Sequence, residues 1–234
     1  MKKIALFFLS ALFILGCKTD PPNFDGFTPG TGEVNNSASG YQPTTKGTTW
    51  KYTTTNTVTI SGQPAPTVVT QQQETTLTGS TIKINNKTYY TANTTVDSEK
   101  GYTYYYHDND TYTYRTNMIT PDAVIEYTYL KDNIAIGTTW TEKITDSGLV
   151  NGFKAQIIGQ VAETGISYTA GGKTYTNVIH TKLKMQYDLG SGYATYQDID
   201  FYIAKGVGIV NTITVNHINS SGVTESPLIS YSIK

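Results

Sequence analysis

Hydrophobicity in this chain repeats every second residue, and that period excludes most folds before any motif is considered. Between Val178 and Tyr187, Ile179, Leu183, Met185 and Tyr187 share one parity, while His180, Lys182, Lys184 and Gln186 share the other. Such alternation marks a strand with one face in a core and the other in water, whereas a helix would return its apolar residues every three to four positions. The same period recurs in Ile199, Phe201 and Ile203 against Asp198, Asp200 and Tyr202, and in Phe153, Ile157 and Val161. It is already present in Trp50, Tyr52, Val58 and Ile60. No sustained helical pattern follows Gly40. The 41 threonines and 19 tyrosines agree with this reading, because both side chains suit a pleated, half-buried surface.

Turn residues punctuate the alternating runs. Asn85-Asn86 and Gly171-Gly172 tolerate the positive φ of tight hairpins, Asp108-Asn109-Asp110 separates two tyrosine-rich runs, and Lys205-Gly206 separates two apolar ones. Thr120-Pro121-Asp122 and Gly190-Ser191-Gly192 mark further connections. The expected fold is all-β and antiparallel, with ten to twelve strands in a curved sheet, half-barrel or barrel; a β-sandwich is the alternative. An internal echo points to two similar units, 41–130 and 131–234. Gly47-Thr48-Thr49-Trp50 returns as Gly137-Thr138-Thr139-Trp140, and Lys87-Thr88-Tyr89 returns as Lys173-Thr174-Tyr175. Each tryptophan opens its unit, where a large ring can plug one end of the core.

The first 16 residues read as a leader rather than as part of the domain. Lys2 and Lys3 precede an apolar run from Ile4 to Leu15, too short to span a bilayer, where about 20 residues are needed. The run ends in Ile14-Leu15-Gly16-Cys17. Here Cys17 resembles the acylated first residue of bacterial lipoproteins, which implies cleavage before it, diacylglycerol on its thiol and a third chain (palmitate) on its amino group. Two or more acyl chains hold a protein stably on a membrane. Lys18 rather than an acidic residue follows, which by the same resemblance implies the outer membrane. Residues 17–40 contain Pro21, Pro22, Pro29 and Asn35-Asn36-Ser37, the composition of a flexible tether to a β domain at 41–234.

Charge and cysteine usage narrow the partners. The formal net charge is −1, and loss of Lys2 and Lys3 makes it more negative, so there is no electrostatic case for nucleic acid. Cys17 is the only cysteine, which leaves no disulfide and no thiolate metal site. His107, His180 and His217 are dispersed, without the spacing of a metal or hydrolase motif. Asp198 and Asp200 would project from one strand face at ~6.6 Å, a separation two hydrolytic carboxylates can use, although alternating acids on a wet strand are ordinary. The expectation is therefore no metal, no cofactor and no catalytic residue; a hydrolase built from scattered acids and histidines is the rival.

Tyr102, Tyr104 and Tyr106, followed across the acidic turn by Tyr112 and Tyr114, are the candidate ligand-binding residues. A three-residue loop would set Tyr106 opposite Tyr112 and Tyr104 opposite Tyr114, making an aromatic ladder on one face that either stabilises the sheet or stacks a sugar or apolar ligand. The layout of lipobox, tether, Gly-x-x-Trp strand and Tyr202-Ile203-Ala204-Lys205-Gly206-Val207-Gly208 near the end resembles Gram-negative envelope lipoproteins and, more loosely, the half-barrels that carry lipoproteins across the periplasm. The resemblance implies a non-catalytic, membrane-anchored protein that binds or scaffolds. Its partner would be an apolar or lipid ligand in a concave sheet, or a glycan or envelope protein on its surface.

Overall fold

The computed structural model describes residues 29–30, 40–59, 65–120, 123–217 and 221–234. The leader, Cys17 and all but a few residues of the tether lie outside the described residues. The rest is strand and turn: β1 (Pro29–Gly30), β2 (Thr49–Thr59), β3 (Thr67–Ile84), β4 (Lys87–Val96), β5 (Glu99–Asp108), β6 (Thr111–Thr120) and β7 (Ala123–Lys131) form the first half. β8 (Thr139–Lys143), β9 (Leu149–Val150), β10 (Phe153–Ala170), β11 (Lys173–Asp188), β12 (Tyr193–Ala204), β13 (Gly208–Asn216), β14 (Ser221–Glu225) and β15 (Leu228–Ser232) form the second.

All pairings are antiparallel, and twelve strands follow one path: β7-β6-β5-β4-β3-β2-β14-β13-β12-β11-β10-β8. The two ends of the path meet, giving a nearly closed barrel. Glu126 N–H on β7 donates to the Ile144 carbonyl just past β8 (2.8 Å), and the Thr128 hydroxyl bonds to Glu142. On the other side of the seam the Thr181 hydroxyl donates to the Tyr129 carbonyl (2.7 Å). Closure removes an edge that would otherwise expose unpaired backbone groups.

The inner face is filled by large side chains. Phe201 on β12 lies 6.4 Å from Tyr114 on β6 and 5.9 Å from Tyr129 on β7, so rings from separate arcs of the sheet meet in the middle. Leu183, Ile203 and Trp50 join them, all but inaccessible to water. Trp140 also lies inside, and its place depends on Gly159 opposite, where a Cβ would stand 2.2 Å from the indole.

The echo in the sequence has a structural counterpart. β3 and β10 are both 18 residues long, and in each the pairing with the next strand slips around a glycine of positive φ, Gly79 (82°) and Gly165 (68°). A β-bulge of this kind bends the hairpin. The turns that follow, Asn85-Asn86 and Gly171-Gly172, all have positive φ.

The bend carries each hairpin tip over the outer face of its own half. β4 is three strands from β7, about 14 Å at the usual strand spacing. Yet the Lys87 ammonium is 2.8 Å and the Tyr89 hydroxyl 2.6 Å from the Glu126 carboxylate. Likewise the Tyr168 hydroxyl on β10 accepts a hydrogen bond from Asn211 Nδ2 (2.9 Å), three strands away on β13.

Candidate functional site

The polar chemistry of the described residues is concentrated under these two bent hairpins. In the first half the centre is Arg115, the only arginine of the chain and 2% exposed. Its guanidinium grips Asp146 through two bonds, Nη1–Oδ1 at 3.0 Å and Nη2–Oδ2 at 2.6 Å, and Nη1 also reaches Glu126 Oε2 at 3.0 Å. Asn85 at the hairpin tip donates to Asp146 Oδ1 (2.8 Å). Two segments, those of Glu126 and Asp146, are thus fastened directly to one buried fork and the hairpin tip is joined through Asp146, the geometry for which arginine is suited and lysine is not. Burial alone would raise the Glu126 pKa, but hydrogen bonds from Lys87, Tyr89 and Arg115 outweigh it and hold the carboxyl below its ordinary value. The Arg115 hydrogen bonds lower Asp146 likewise.

In the second half the centre is His180, almost wholly buried although the alternation places it on the outer face. Nδ1 lies 2.8 Å from Glu163 Oε2 and Nε2 lies 2.6 Å from Asp200 Oδ1. Carboxylates only accept, so the ring satisfies both contacts only as an imidazolium. Burial opposes that charge, but the two carboxylates prevail and raise the pKa above 6.5. The ring stacks on Tyr202 (4.4 Å, 10°), which stacks on Tyr168 of the bent tip (3.7 Å, 13°). A His–Asp pair at this distance is also the orienting half of a catalytic triad, but here the second nitrogen faces Glu163 instead of a nucleophile. The geometry holds a proton in place.

That proton makes stability depend on pH. Because the folded pKa is raised, the stabilisation is complete below about pH 6.5 and is lost as pH rises through the folded value. The melting temperature of the native chain is therefore expected to fall on raising the pH from 6 to 9 by more than that of His180→Gln. Parallel pH profiles of the two proteins would contradict this assignment.

The other candidates are differently placed from expectation. Asp198 accepts from exposed His217 (2.7 Å) and Asp200 is bound to His180, so each carboxylate is engaged by a histidine. His107 stacks against Tyr90 and Tyr112, with burial lowering its pKa. The tyrosine ladder does not form as expected. The β5–β6 turn has two residues, Asn109 and Asp110, which pairs Tyr106 with Thr113, Tyr104 with Arg115 and Tyr105 with Tyr114. A shift of one residue sends alternate side chains to opposite faces. Tyr102, Tyr104 and Tyr106 therefore pack outside with Ile84 and Tyr89, while Tyr112 and Tyr114 join the inner core. Tyr104 and Tyr112 are both buried, and burial pushes the hydroxyls of each up to about 12. Among the described residues no three His, Cys, Asp or Glu side chains are arranged to hold a metal ion.

Arg115, Glu126, Asp146 and Glu163 were not singled out in the sequence. One signal was available: a lone arginine among many lysines marks a position where a fork is required rather than a charge.

Fold and clusters together define an all-antiparallel, nearly closed β-barrel whose long hairpins are fastened to its outer wall by buried ionic groups. No family model and no curated protein matches the sequence. Two solved structures are similar in outline: a provisionally assigned lipoprotein from Parabacteroides distasonis (TM-score 0.48) and a provisionally assigned exported protein with a YmcC-like fold from Bacteroides fragilis (TM-score 0.47). Each is 13% identical over 83% of this chain and 99% of the other. At these values the likeness carries no argument about what this chain does.

Proposed function

We propose that this chain is a lipid-anchored, non-catalytic envelope protein whose barrel serves as a rigid scaffold rather than as a carrier. The observation that supports it most is the filled inner face, where Tyr114, Tyr127, Tyr129 and Phe201 pack ring against ring at 5.2–6.4 Å. A lipid carrier needs an apolar cavity, and here aromatic side chains occupy the centre of the barrel. A glycan platform needs exposed rings, and the tyrosines that would form one are divided between two faces. The matching bulges, turns and 18-residue strands support descent of both halves from one meander. The anchor is Cys17, on the resemblance of its surroundings to a lipobox.

The test combines location and uptake. The native chain is expected in the outer-membrane fraction, and Cys17→Ser in the soluble fraction. The folded protein is expected to leave the fluorescence of the apolar dye 1-anilinonaphthalene-8-sulfonate unchanged. Membrane association that survives Cys17→Ser would overturn the anchor, and saturable dye binding would overturn the filled scaffold in favour of a carrier.

A further inference from the structure

Strand β3 begins well before the strand that covers its far side. β2 pairs with it from Thr67 to Thr76 with no slip in register, but β4 joins only at Gln73. Asp97 occupies the junction, its N–H donating to the Gln72 carbonyl (2.7 Å) and its Oδ1 accepting from the Gln72 N–H (2.9 Å). Gln72 thus turns both backbone groups away from β2. Direction alternates along an antiparallel strand, so Val68 and Thr70 turn their N–H and C=O groups the same way. Among the described residues no strand pairs with them on that side.

The side chains of this edge lack the usual protection. Natural edges carry charges, prolines, bulges or covers that discourage further pairing. The run Thr67-Val68-Val69-Thr70-Gln71 carries no charge, proline or bulge and, among the described residues, no cover, and Val68 is 60% exposed. By contrast β10, where it extends beyond its pairing with β8, carries Glu163 and bulges at Gly165. Val223, also exposed, lies on the same face as Val68 across Thr57, so the edge is flanked by further apolar surface.

We propose that residues 67–71 are a docking edge for a second copy of this chain, paired antiparallel about a two-fold axis at Val69. In that register Val68 faces the partner subunit's Thr70, and Thr70 faces the partner subunit's Val68. Both are hydrogen-bonded pairs, so four backbone bonds form. Val69 meets its own counterpart in a non-hydrogen-bonded pair. Pro66 at one end has no N–H, and Gln72 at the other is held by Asp97, so neither end can extend the ladder and a slipped register gains nothing. The segment is uncharged and meets no like charge in its copy. This complementarity of the segment with itself, an isologous contact, favours a second copy over an unrelated strand. Five residues make an interface well below the ~1,200–2,000 Å² of stable complexes, so the pairing is weak at low concentration and grows where chains are confined together.

The test is oxidative cross-linking of the full-length chain in its native envelope, with the unsubstituted protein, whose only cysteine is Cys17, as background. A non-hydrogen-bonded antiparallel pair holds its Cα atoms ~4.5 Å apart, within disulfide range. Val69→Cys is expected to give a covalent dimer in several-fold higher yield than Val223→Cys, because only a residue on the axis meets itself. Adding Thr70→Pro to Val69→Cys should return the yield to that of Val223→Cys. The Thr70 N–H makes no bond to β2, so the melting temperature should be unchanged; if it falls, Thr70→Lys, which places charge on the edge, replaces the proline and must abolish the dimer equally. Equal yields at positions 69 and 223, insensitivity to both edge variants, or cross-linking of Val69→Cys to a different polypeptide would each overturn the proposal.

Discussion

Arg115→Ala is expected to lower the unfolding free energy by about 3–5 kcal/mol, the usual cost of removing one partner from a buried ion pair. The loss is large because Glu126, with only 16% of its side chain exposed, would keep its charge without the fork, and because Asp146, which holds Asn85 at the hairpin tip, would lose its cation, leaving the tip tied through Lys87 and Tyr89 alone. Asp146→Asn should cost much less, since 48% of the Asp146 side chain is in contact with water. Urea unfolding of the three proteins measures both values, and equal losses would show that Arg115 does not act through burial. The same cluster has a pH signature. Its carboxyls have folded pKa values below the unfolded ones, so the stabilisation is complete above about pH 5 and is lost as pH falls through the folded values. Acid should therefore weaken the first half, where base weakens the second through His180. Arg115→Ala should make the acid limb shallower, with Lys87 and Tyr89 still holding Glu126 down, and leave the alkaline limb unchanged.

The second large effect is expected at Leu183, which has no exposed surface and sits in the main core cluster. Leu183→Ala should cost about 2–5 kcal/mol, from lost transfer energy and from the cavity that ring-filled surroundings cannot close. Lys184→Ala, one residue on and exposed, should stay within about ±0.5 kcal/mol. Similar small effects at both positions would mean that the alternation along β11 does not reflect an inside and an outside. A Leu183 cost well below the range, with dye binding by the native chain, would indicate a lined cavity.

Along the strand from Val178 to Tyr187, burial follows the alternation of the sequence from Thr181 onward. Leu183, Met185 and Tyr187 are inside, while Lys182 and Lys184 are exposed. Val178, buried at the outward parity, departs from the pattern, and so does His180. It lies on the predicted face, but Glu163, Asp200 and Tyr202 enclose it, and Glu163 is brought there by the strand on the other side. The tyrosines show a different failure. Their positions on β5 and β6 were legible, yet the pairing turned on whether Asp108-Asn109-Asp110 contributes three residues to the loop or two. One residue decided which rings share a face.

The sequence by itself determined the properties that repeat over short distances: strands rather than helices, which parity is buried along most of them, and where turns of positive φ fall. These follow from backbone geometry and side-chain type within a few residues, so the alternation records them directly. Only the tertiary structure decided that the sheet nearly closes, that each long hairpin folds back over its own half, and that Arg115 gathers Glu126, Asp146 and the tip of β3 and β4. Those contacts depend on twist and bulge angles summed over three strands, and period two is the same for a flat sheet, a sandwich and a barrel. The charges under the hairpins became partners through that accumulated bending, which no local pattern encodes.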